Sequence, residues 1–248
     1  MHNSETAFKV KIFGDSHSVY FKREQTLALV FDYKDLYDLL EVFVFHSASV
    51  KGLGRSVSTL NLQDKILDNL EQNDIAVLCF GQVDMDSGLW YTRFVKGDDV
   101  SEENFIEECI AAYQVMIDMV KRKTNRIVIK GINYPSLIAR GKAIQVHKKV
   151  ITHNIKDPVL LEKLEKLWRQ KFPHVSERIE LVRKFNKRLE AFCSENDLQY
   201  FDINQEISHE NGILLEQFLP SLPDHHLADS ILTRKIHLEA LKKIIDFQ

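Results

Sequence analysis

The chain has 248 residues, of which 44% are hydrophobic and 28% are charged, and its formal net charge is −3. This composition is typical of a globular protein and excludes a disordered or fibrous chain. The small negative charge provides no broad basic field for a nucleic acid, and no run of about 18 apolar residues could span a membrane. We therefore expect neither a nucleic acid nor a membrane among its partners.

The three cysteines, Cys79, Cys109 and Cys193, lie in segments that are predicted to be a strand and two helices. Such an odd and scattered set is typical of buried thiols in a reducing compartment, and no CxxC pair is present to hold a metal. The first residues, Met1 to Thr6, are polar and lack an apolar leader segment. We expect a cytoplasmic protein.

Apolar runs alternate with amphipathic segments along the chain, which predicts strands that alternate with helices. We assign no element to Leu27–Leu40, where apolar residues are mixed with tyrosine and aspartate. The predicted strands are Phe8–Phe13, Val42–Phe45, Ile75–Phe80, Arg126–Lys130 and Leu198–Ile203. The predicted helices are Val19–Gln25 (a helix or turn), Leu60–Leu70, Glu102–Lys123, Pro158–Lys171, Ser176–Glu195 and Ala228–Phe247.

This alternation predicts the fold class. Strands that are joined by helices form right-handed crossovers, so the strands should be parallel and helices should cover both faces of the sheet. The continuous apolar run Val42–Phe45 predicts a strand buried on both faces. We therefore predict an α/β protein with a doubly wound, three-layer α/β/α arrangement in one domain over residues 1–248. Residues 136–173 carry no strand signal and are predicted to be an insertion that forms a lid or a binding wall.

Residues that can carry chemistry lie at the ends of the predicted strands. Ser16 follows the first strand, Gly52 the second, and residues 81–84 the third, while His225 and His226 precede the last helix. Open α/β sheets bind ligands at the carboxyl ends of their strands, so we expect these loops to converge. A serine nucleophile needs a base, a carboxylate that orients the base and donors for the oxyanion, and these loops offer all three.

Four blocks at these strand ends resemble the blocks of the SGNH (GDSL) hydrolase superfamily, and their order and spacing cover essentially the whole chain. The resemblance implies a flavodoxin-like sheet of five parallel strands and a serine-dependent esterase. The blocks are Gly14-Asp15-Ser16-His17, Ala48-Ser49-Val50-Lys51-Gly52, Gly81-Gln82-Val83-Asp84 and Asp224-His225-His226-Leu227.

The resemblance also implies roles for individual residues. Ser16 would be the nucleophile, and Asp224 would orient the base. We favour His226 as the base because the residue after it matches the family block, and His225 is the alternative. The backbone N–H groups of Ser16 and Gly52 would hold the oxyanion.

Two positions depart from the family pattern. Val83 stands where the family has an asparagine that donates to the oxyanion, and the neighbouring Gln82 is a candidate replacement donor. The family spacing Asp-x-x-His would put Pro223 at the acid position, whereas Asp224 lies two residues before His226. We expect that Asp224, or else a backbone carbonyl, orients the base.

Three further residues are candidates for substrate binding, namely His17, Asp84 and Trp90. For Trp90, packing in the core or a lid is the more common role of such an aromatic residue, and stacking on a sugar ring is the functional alternative. Asp84 is also expected to fix the Ser16 loop through hydrogen bonds. The remaining histidines show no ligand spacing, so we expect no metal and no cofactor.

Together these residues predict a serine-dependent ester hydrolase that acts through an acyl-enzyme on Ser16. The expected partner is a small-molecule or saccharide acyl ester, and a carbohydrate O-acetylesterase is our hypothesis. Two alternatives stay open: an O-acyltransferase that uses the same serine and histidine, and a non-catalytic binding protein that has kept the fold. The oligomeric state is not predicted.

Overall fold

Five parallel strands form one sheet at the centre of the protein. The computed structural model describes residues 8–23, 27–55, 60–153 and 155–246, and the fold is given for these residues. The strand order β2-β1-β3-β4-β5 is that of a flavodoxin-like doubly wound sheet, which confirms the predicted fold class. The strands are β1 (Val10–Gly14), β2 (Leu40–Val44), β3 (Ile75–Cys79), β4 (Ile127–Lys130) and β5 (Gln199–Phe201).

Helices connect the strands and cover both faces of the sheet. Residues 82–96 form a helical segment that widens into π-helical turns at Asp84–Gly88 and Tyr91–Lys96, and Ser16–Phe21 and Glu216–Phe218 are 3₁₀ helices. The α-helices are α1 (Leu27–Asp32), α2 (Lys34–Leu39), α3 (Val50–Leu53), α4 (Leu62–Leu67), α5 (Glu102–Val120), α6 (Arg140–Thr152), α7 (Pro158–Lys171), α8 (Val175–Glu195), α9 (Asn204–Ile207) and α10 (Ile231–Ile245).

The central strands bury both faces because alternate side chains point to opposite sides. On one side, Phe13 and Leu78 belong to a hydrophobic core that includes residues of α5 and α8. On the other side, Ile12 and Val77 pack in a second core with Leu238 of α10. This two-sided burial holds β1 and β3 rigidly, and it is these two strands that lead into the first and third sequence blocks.

Strand β2 differs from the expected strand in burial and position. It covers Leu40–Val44 instead of Val42–Phe45, and all five of its residues are only half-buried. The reason is the strand order, which places β2 at the edge of the sheet where one side has no neighbouring strand. A continuous apolar run predicts a strand, but it does not distinguish a central strand from an edge strand.

Most other boundaries agree with the predictions to within a few residues. Helix α7 has the predicted bounds, and the unassigned stretch Leu27–Leu40 contains α1 and α2. Helix α4 starts after its predicted first residue because Asn61, with a φ of 48°, lies in the left-handed region, and the helix ends at Leu67 instead of Leu70. The ends of two predicted helices, at residues 24–25 and 247, lie outside the described residues.

The inserted segment contributes two helices, α6 and α7, of which α6 was not predicted. Trp168 of α7 is fully buried and stacks on Phe172 with ring centroids 4.9 Å apart. The Phe94 and Trp168 rings are in a T-shaped arrangement with centroids 5.3 Å apart. These rings belong to the same hydrophobic core as α5 and α8. The segment therefore packs as part of the main body, and its role as a lid or wall stays a prediction.

None of the described helices combines the length and the apolar composition that a membrane crossing requires.

Candidate active site

Ser16 lies just after strand β1, at the carboxyl edge of the sheet. Gly14 ends the strand so close to β3 that a Cβ atom there would lie 2.6 Å from the Cys79 carbonyl oxygen. The next residue, Asp15, donates its backbone N–H to the same oxygen at 3.3 Å. Ser16 is then the first residue of a 3₁₀ helix, at the position between β1 and β3 where the strand order reverses.

The Asp15 carboxylate holds this turn in place. It is fully buried, and its Oδ1 atom accepts hydrogen bonds from the His17 backbone N–H at 2.8 Å and from His17 Nδ1 at 2.9 Å. An aspartate that bonds the backbone two residues ahead forms an Asx turn, which orients the intervening residue. Asp15 therefore has the structural role that is common for this residue type, and it fixes the His17 ring as well.

Ser16, His226 and Asp224 form a continuous hydrogen-bonded chain. His226 Nε2 lies 2.8 Å from Ser16 Oγ, and His226 Nδ1 lies 2.8 Å from Asp224 Oδ1. The same Asp224 oxygen accepts the His226 backbone N–H at 3.2 Å, so this is again an Asx turn. The turn explains how an aspartate only two residues from the histidine can orient the ring.

The electrostatics of this hydrogen-bonded group of three residues suit a general base at His226. Burial lowers the pKa of His226, as does the nearby His17, and the Asp224 carboxylate only partly opposes this, so the ring is neutral near pH 7. Burial tends to raise the pKa of Asp224, but hydrogen bonds from His226 outweigh burial and the pKa is lowered. A neutral imidazole beside an ionised carboxylate can accept a proton from Ser16.

His225 is placed differently from His226. Its Nδ1 lies 3.3 Å from Asp224 Oδ1, and its backbone carbonyl oxygen lies 3.4 Å from His17 Nε2. Within the described part of the chain, the histidine in hydrogen-bond contact with Ser16 Oγ is His226. Burial, together with the neighbouring histidines, lowers the pKa of His225 to about 4.

The candidate oxyanion donors differ in their availability. The Ser16 N–H has no acceptor among the described residues. The Gly52 N–H is shared between two acceptors of Ser49, its Oγ atom and its backbone carbonyl oxygen, each at 3.1 Å, because Ser49 caps α3. The Gln82 amide donates to Asp86 Oδ2 at 3.1 Å and to the Asn133 carbonyl oxygen at 3.2 Å, which occupies both of its hydrogens.

Asp84 holds the second sequence block and not the Ser16 loop, which differs from our expectation. Its carboxylate accepts the backbone N–H groups of Val50 at 2.7 Å and Lys51 at 3.4 Å. The side chain is almost fully buried, and this burial raises the pKa of Asp84 to about 7. The carboxylate thereby fixes the start of α3 and with it the position of Gly52.

Trp90, the candidate for sugar stacking, lies in the hydrophobic core. It is 4% exposed and contacts the Phe94 and Phe172 rings. Its neighbour Tyr91 is 39% exposed and lines a cavity of about 370 Å³ that also borders Ser49 and Gly52. Consecutive residues on a helix point about 100° apart, so burying Trp90 turns Tyr91 outward.

Two residues that the sequence did not single out join the insertion to the site. Ser136 Oγ donates to the Asp224 carbonyl oxygen at 2.8 Å, and His147 of α6 lies with its ring centroid 6.5 Å from that of His225. Burial lowers the pKa of His147 to about 3, so this ring is neutral. Ser136 follows β4, so the rule that ligands bind at strand ends points to it, whereas His147 lies mid-helix and has no such signal.

His17, a candidate for substrate binding, stacks on the His226 ring with centroids 4.3 Å apart. Burial lowers the pKa of His17, but the Asp15 carboxylate more than offsets this, and the pKa is raised. The structure thus brings His17, His225 and His226 together, although His17 lies more than two hundred residues before the other two. Sequence spacing alone did not suggest this cluster.

Comparison with solved structures identifies the fold. The lipase Lip_vut3 from a goat rumen metagenome matches with a TM-score of 0.54 and 12% identity, covering 96% of this chain and 97% of the lipase. A catalytic mutant of the acetylxylan esterase Axe2 from Geobacillus stearothermophilus matches with a TM-score of 0.51 and 11% identity, covering 97% and 95%. A lipolytic protein assigned to the G-D-S-L family, from Desulfitobacterium hafniense, matches with a TM-score of 0.50 and 11% identity, covering 96% and 99%.

No protein-family model matches the sequence, and no curated protein matches it significantly. At these identities the likeness establishes the fold alone. The chain has the three-layer α/β/α fold of the SGNH (GDSL) hydrolases, as its sequence blocks predicted.

Proposed function

We propose that the protein is a serine-dependent acyl-ester hydrolase that acts through an acyl-enzyme on Ser16. The observation that carries the proposal is the chain of contacts from Asp224 Oδ1 to His226 Nδ1 and from His226 Nε2 to Ser16 Oγ, each 2.8 Å long. These are hydrogen-bond lengths at which a base can take the serine proton. A fold shared with lipases and an esterase supports the same conclusion.

The mechanism follows from this geometry. Ser16 Oγ attacks the ester carbonyl carbon while its proton moves to His226 Nε2, and the Asp224 carboxylate stabilises the imidazolium that forms. The tetrahedral intermediate collapses, and His226 returns the proton to the leaving alcohol. Water then attacks the acyl-enzyme with His226 again as base, which releases the acid and restores the Ser16 hydroxyl.

Stabilisation of the oxyanion is the weaker part of this active site. The Ser16 N–H is available, but the Gly52 N–H must turn from both the Ser49 hydroxyl and the Ser49 carbonyl oxygen towards the substrate, or be shared with them. Val83 offers no side-chain donor, and Gln82 would have to give up an existing hydrogen bond. Because one missing donor typically costs about 10²- to 10³-fold in rate, we expect a slower enzyme than one with three free donors.

For the substrate class we propose a carbohydrate O-acetyl ester. The cavity beside Gly52 has polar side chains, such as Ser47 and Thr92, and the exposed ring of Tyr91, which is a combination suited to a sugar. The same acyl-enzyme could pass its acyl group to a hydroxyl instead of water, so an O-acyltransferase is the variant of this proposal. The two differ in whether free acid or a new ester accumulates when an acceptor sugar is present.

The test is hydrolysis of p-nitrophenyl acetate by the wild type, Ser16→Ala and Ser194→Ala. Ser194 is an exposed serine near the end of α8 and serves as the matched control. We expect activity in the wild type and in Ser194→Ala, and none above background in Ser16→Ala. Equal activity in all three proteins would reject Ser16 as the nucleophile, and no activity in a folded wild type would favour a non-catalytic binding protein.

A second assay addresses the substrate class. Release of acetate from an acetylated xylo-oligosaccharide is compared with hydrolysis of p-nitrophenyl octanoate, which carries a long acyl chain. The proposal predicts a higher kcat/KM for the saccharide, and a preference for octanoate would redirect it towards lipid esters.

A further inference from the structure

Two turns of the same kind face each other at the site. Asp15-Ser16-His17 and Asp224-His225-His226 both have the pattern Asp-x-His, and in each the aspartate Oδ1 accepts the histidine backbone N–H and contacts its Nδ1. The Nδ1 distances are 2.9 Å for His17 and 2.8 Å for His226. A carboxylate at Nδ1 fixes the ring and directs Nε2 outward, which is the usual arrangement of histidines that ligate metals.

A third imidazole completes the group. The His225 ring lies with its centroid 4.1 Å from that of His226 and 5.4 Å from that of His17. One ring nitrogen from each of His17, His225 and His226 lies within 4.8 Å of the other two. A tetrahedral metal with bonds of 2.0 to 2.1 Å needs donor separations of about 3.3 Å, so small ring movements close the site.

The charges around these rings favour a cation. Asp15 is fully buried, and its Oδ2 atom accepts no hydrogen bond from the described residues. Asp86, which is 8% exposed, and Asp224 add two further carboxylates, while two buried cations, Arg178 and Lys130, interact electrostatically with Asp86 and Asp15. A buried carboxylate oxygen without a partner is costly, and a cation held by the neighbouring His17 ring offsets that cost.

We propose that His17, His225 and His226 bind one borderline transition-metal ion of the Zn²⁺ type, and that the bound ion inhibits the enzyme. His226 Nε2 has one lone pair, so bonding to the metal takes this atom away from Ser16 Oγ, its contact at 2.8 Å. The metal also replaces the 3.4 Å contact of His17 Nε2 with the His225 carbonyl oxygen. The binding claim is independent of the proposed function, whereas the inhibition claim rests on it.

The binding test uses calorimetric titration of chelator-treated full-length protein with Zn²⁺ and with Mg²⁺. We expect one Zn²⁺ per chain and no Mg²⁺ binding, since imidazole suits zinc and Mg²⁺ prefers oxygen ligands. His225→Gln should weaken Zn²⁺ binding at least about 100-fold, since loss of a second-shell partner alone costs about 10- to 100-fold. His209→Gln, at an exposed histidine, is the control and should match the wild type.

Equal Zn²⁺ affinity and stoichiometry in His225→Gln and the wild type would overturn the site. Circular dichroism checks that the variant is folded. If His225→Gln is not folded, a measurement on the wild type replaces it. Diethyl pyrocarbonate modification of His225 and His226, read by mass spectrometry, should be slowed by Zn²⁺. Unchanged modification at saturating Zn²⁺ would also overturn the site.

The inhibition test separates the two proposals. Zn²⁺ should slow labelling of Ser16 by a fluorophosphonate in the wild type and in His209→Gln, at concentrations that leave His225→Gln unaffected. If Ser16→Ala binds Zn²⁺ with the wild-type affinity while the folded, chelator-treated wild type shows no esterase activity and no labelling, the metal site stands and the proposed function is rejected. Labelling and hydrolysis that continue unchanged at saturating Zn²⁺ would reject the inhibition.

Discussion

At the scale of single residues, the Asp-x-His turn is what makes a short spacing compatible with a serine–histidine–aspartate chain. Asp224 binds both the backbone and the ring of His226, so the carboxylate and the imidazole are fixed by one local structure. The aspartate therefore sets which ring nitrogen carries the proton, and Nε2 is left free for Ser16.

Removing this carboxylate tests that role. We expect Asp224→Asn to lower kcat/KM for p-nitrophenyl acetate by about 10⁴-fold, because an amide at this position favours the wrong histidine tautomer. The variant should remain folded, since Asn keeps a side-chain oxygen for the His226 backbone N–H. Asp98→Asn, at an exposed aspartate, is the control with unchanged activity. A loss of less than tenfold in Asp224→Asn would show that another group orients the base.

Some features of individual residues could be predicted from the sequence and others could not. The contact of Ser16 with His226 could be predicted, because both residues lie in sequence blocks that resemble those of the SGNH hydrolases. The exposure of Tyr91 and the capping of Gly52 by Ser49 could not be predicted, because they depend on the phase of a helix and on the hydrogen bonds of one turn. These features follow from packing, which the local sequence does not encode.

At the scale of elements, the close contact of β1 with β3 determines where Ser16 lies. Gly14 and Gly141 offer a matched pair, because a Cβ at Gly14 would meet Cys79 and Ser18 atoms within 3 Å, whereas one at Gly141 would meet nothing within 4 Å. We expect Gly14→Ala to lower the free energy of unfolding by about 3 kcal/mol through overpacking. Gly141→Ala, on helix α6, should raise it by about 0.5 kcal/mol. Urea unfolding measures both, and changes of the same sign would contradict the account.

The burial of the Asp84 side chain predicts a pH dependence of stability. The pKa of Asp84 is about 7 in the folded protein against 3.8 ordinarily, so between these pH values the folded state keeps a proton that the unfolded chain has lost. The contribution of Asp84 to the free energy of unfolding should therefore fall as the pH rises through this window, by roughly 1.4 kcal/mol per pH unit at most.

Asp84→Asn isolates this effect, because Asn does not titrate and keeps an acceptor for Val50. The free energy of unfolding of the variant relative to the wild type should rise between pH 4 and 7 and become constant above pH 7. Urea unfolding curves at pH 4.5, 5.5, 6.5 and 7.5 provide the comparison. Parallel pH profiles of the two proteins would show that Asp84 does not titrate in this range.

The positions of helices and strands were predictable where the apolar periodicity is strong and the ends carry capping residues. The bounds of α7 follow from Asp157 as its cap and Pro158 at its first turn. The edge position of β2 was not predictable from its apolar run, since neighbouring strands decide how much of a strand is covered. Helix α6 was missed because its sequence is rich in basic residues and its buried stripe is short, consisting of Ala143, His147 and Ile151.

At the scale of the whole molecule, the inserted helices and the sheet share one hydrophobic core. Trp90 precedes α5 and Trp168 lies in the insertion, and the Phe94 and Phe172 rings connect them. Unfolding should therefore be a single cooperative transition in which tryptophan fluorescence and far-ultraviolet circular dichroism coincide.

Trp168→Ala tests this connection. Removing a fully buried tryptophan should lower the free energy of unfolding by about 3 to 5 kcal/mol. The loss should appear as a shift of the whole transition. Separate transitions for the two probes in the wild type, or a variant in which only part of the chain is less stable, would show that the insertion folds independently.

The parallel sheet, its five strands and the layers around it were predictable from the alternation of apolar runs and amphipathic segments, because few topologies satisfy right-handed crossovers. The approach of the last loop to the Ser16 loop was also expected, but the positions of the His17, His225 and His226 rings were not, since they depend on the side-chain contacts of two Asx turns. Side-chain orientations of this kind are set only in the assembled molecule.

The central claim is that Ser16 is an activated nucleophile. Intact-protein mass spectrometry after treatment with a fluorophosphonate, followed by peptide mapping, measures this directly. We expect one adduct per chain on Ser16 of the chelator-treated wild type, greatly slowed labelling in His226→Gln, and none at this position in Ser16→Ala. A folded wild type that stays unlabelled, or an adduct on another residue, would contradict it.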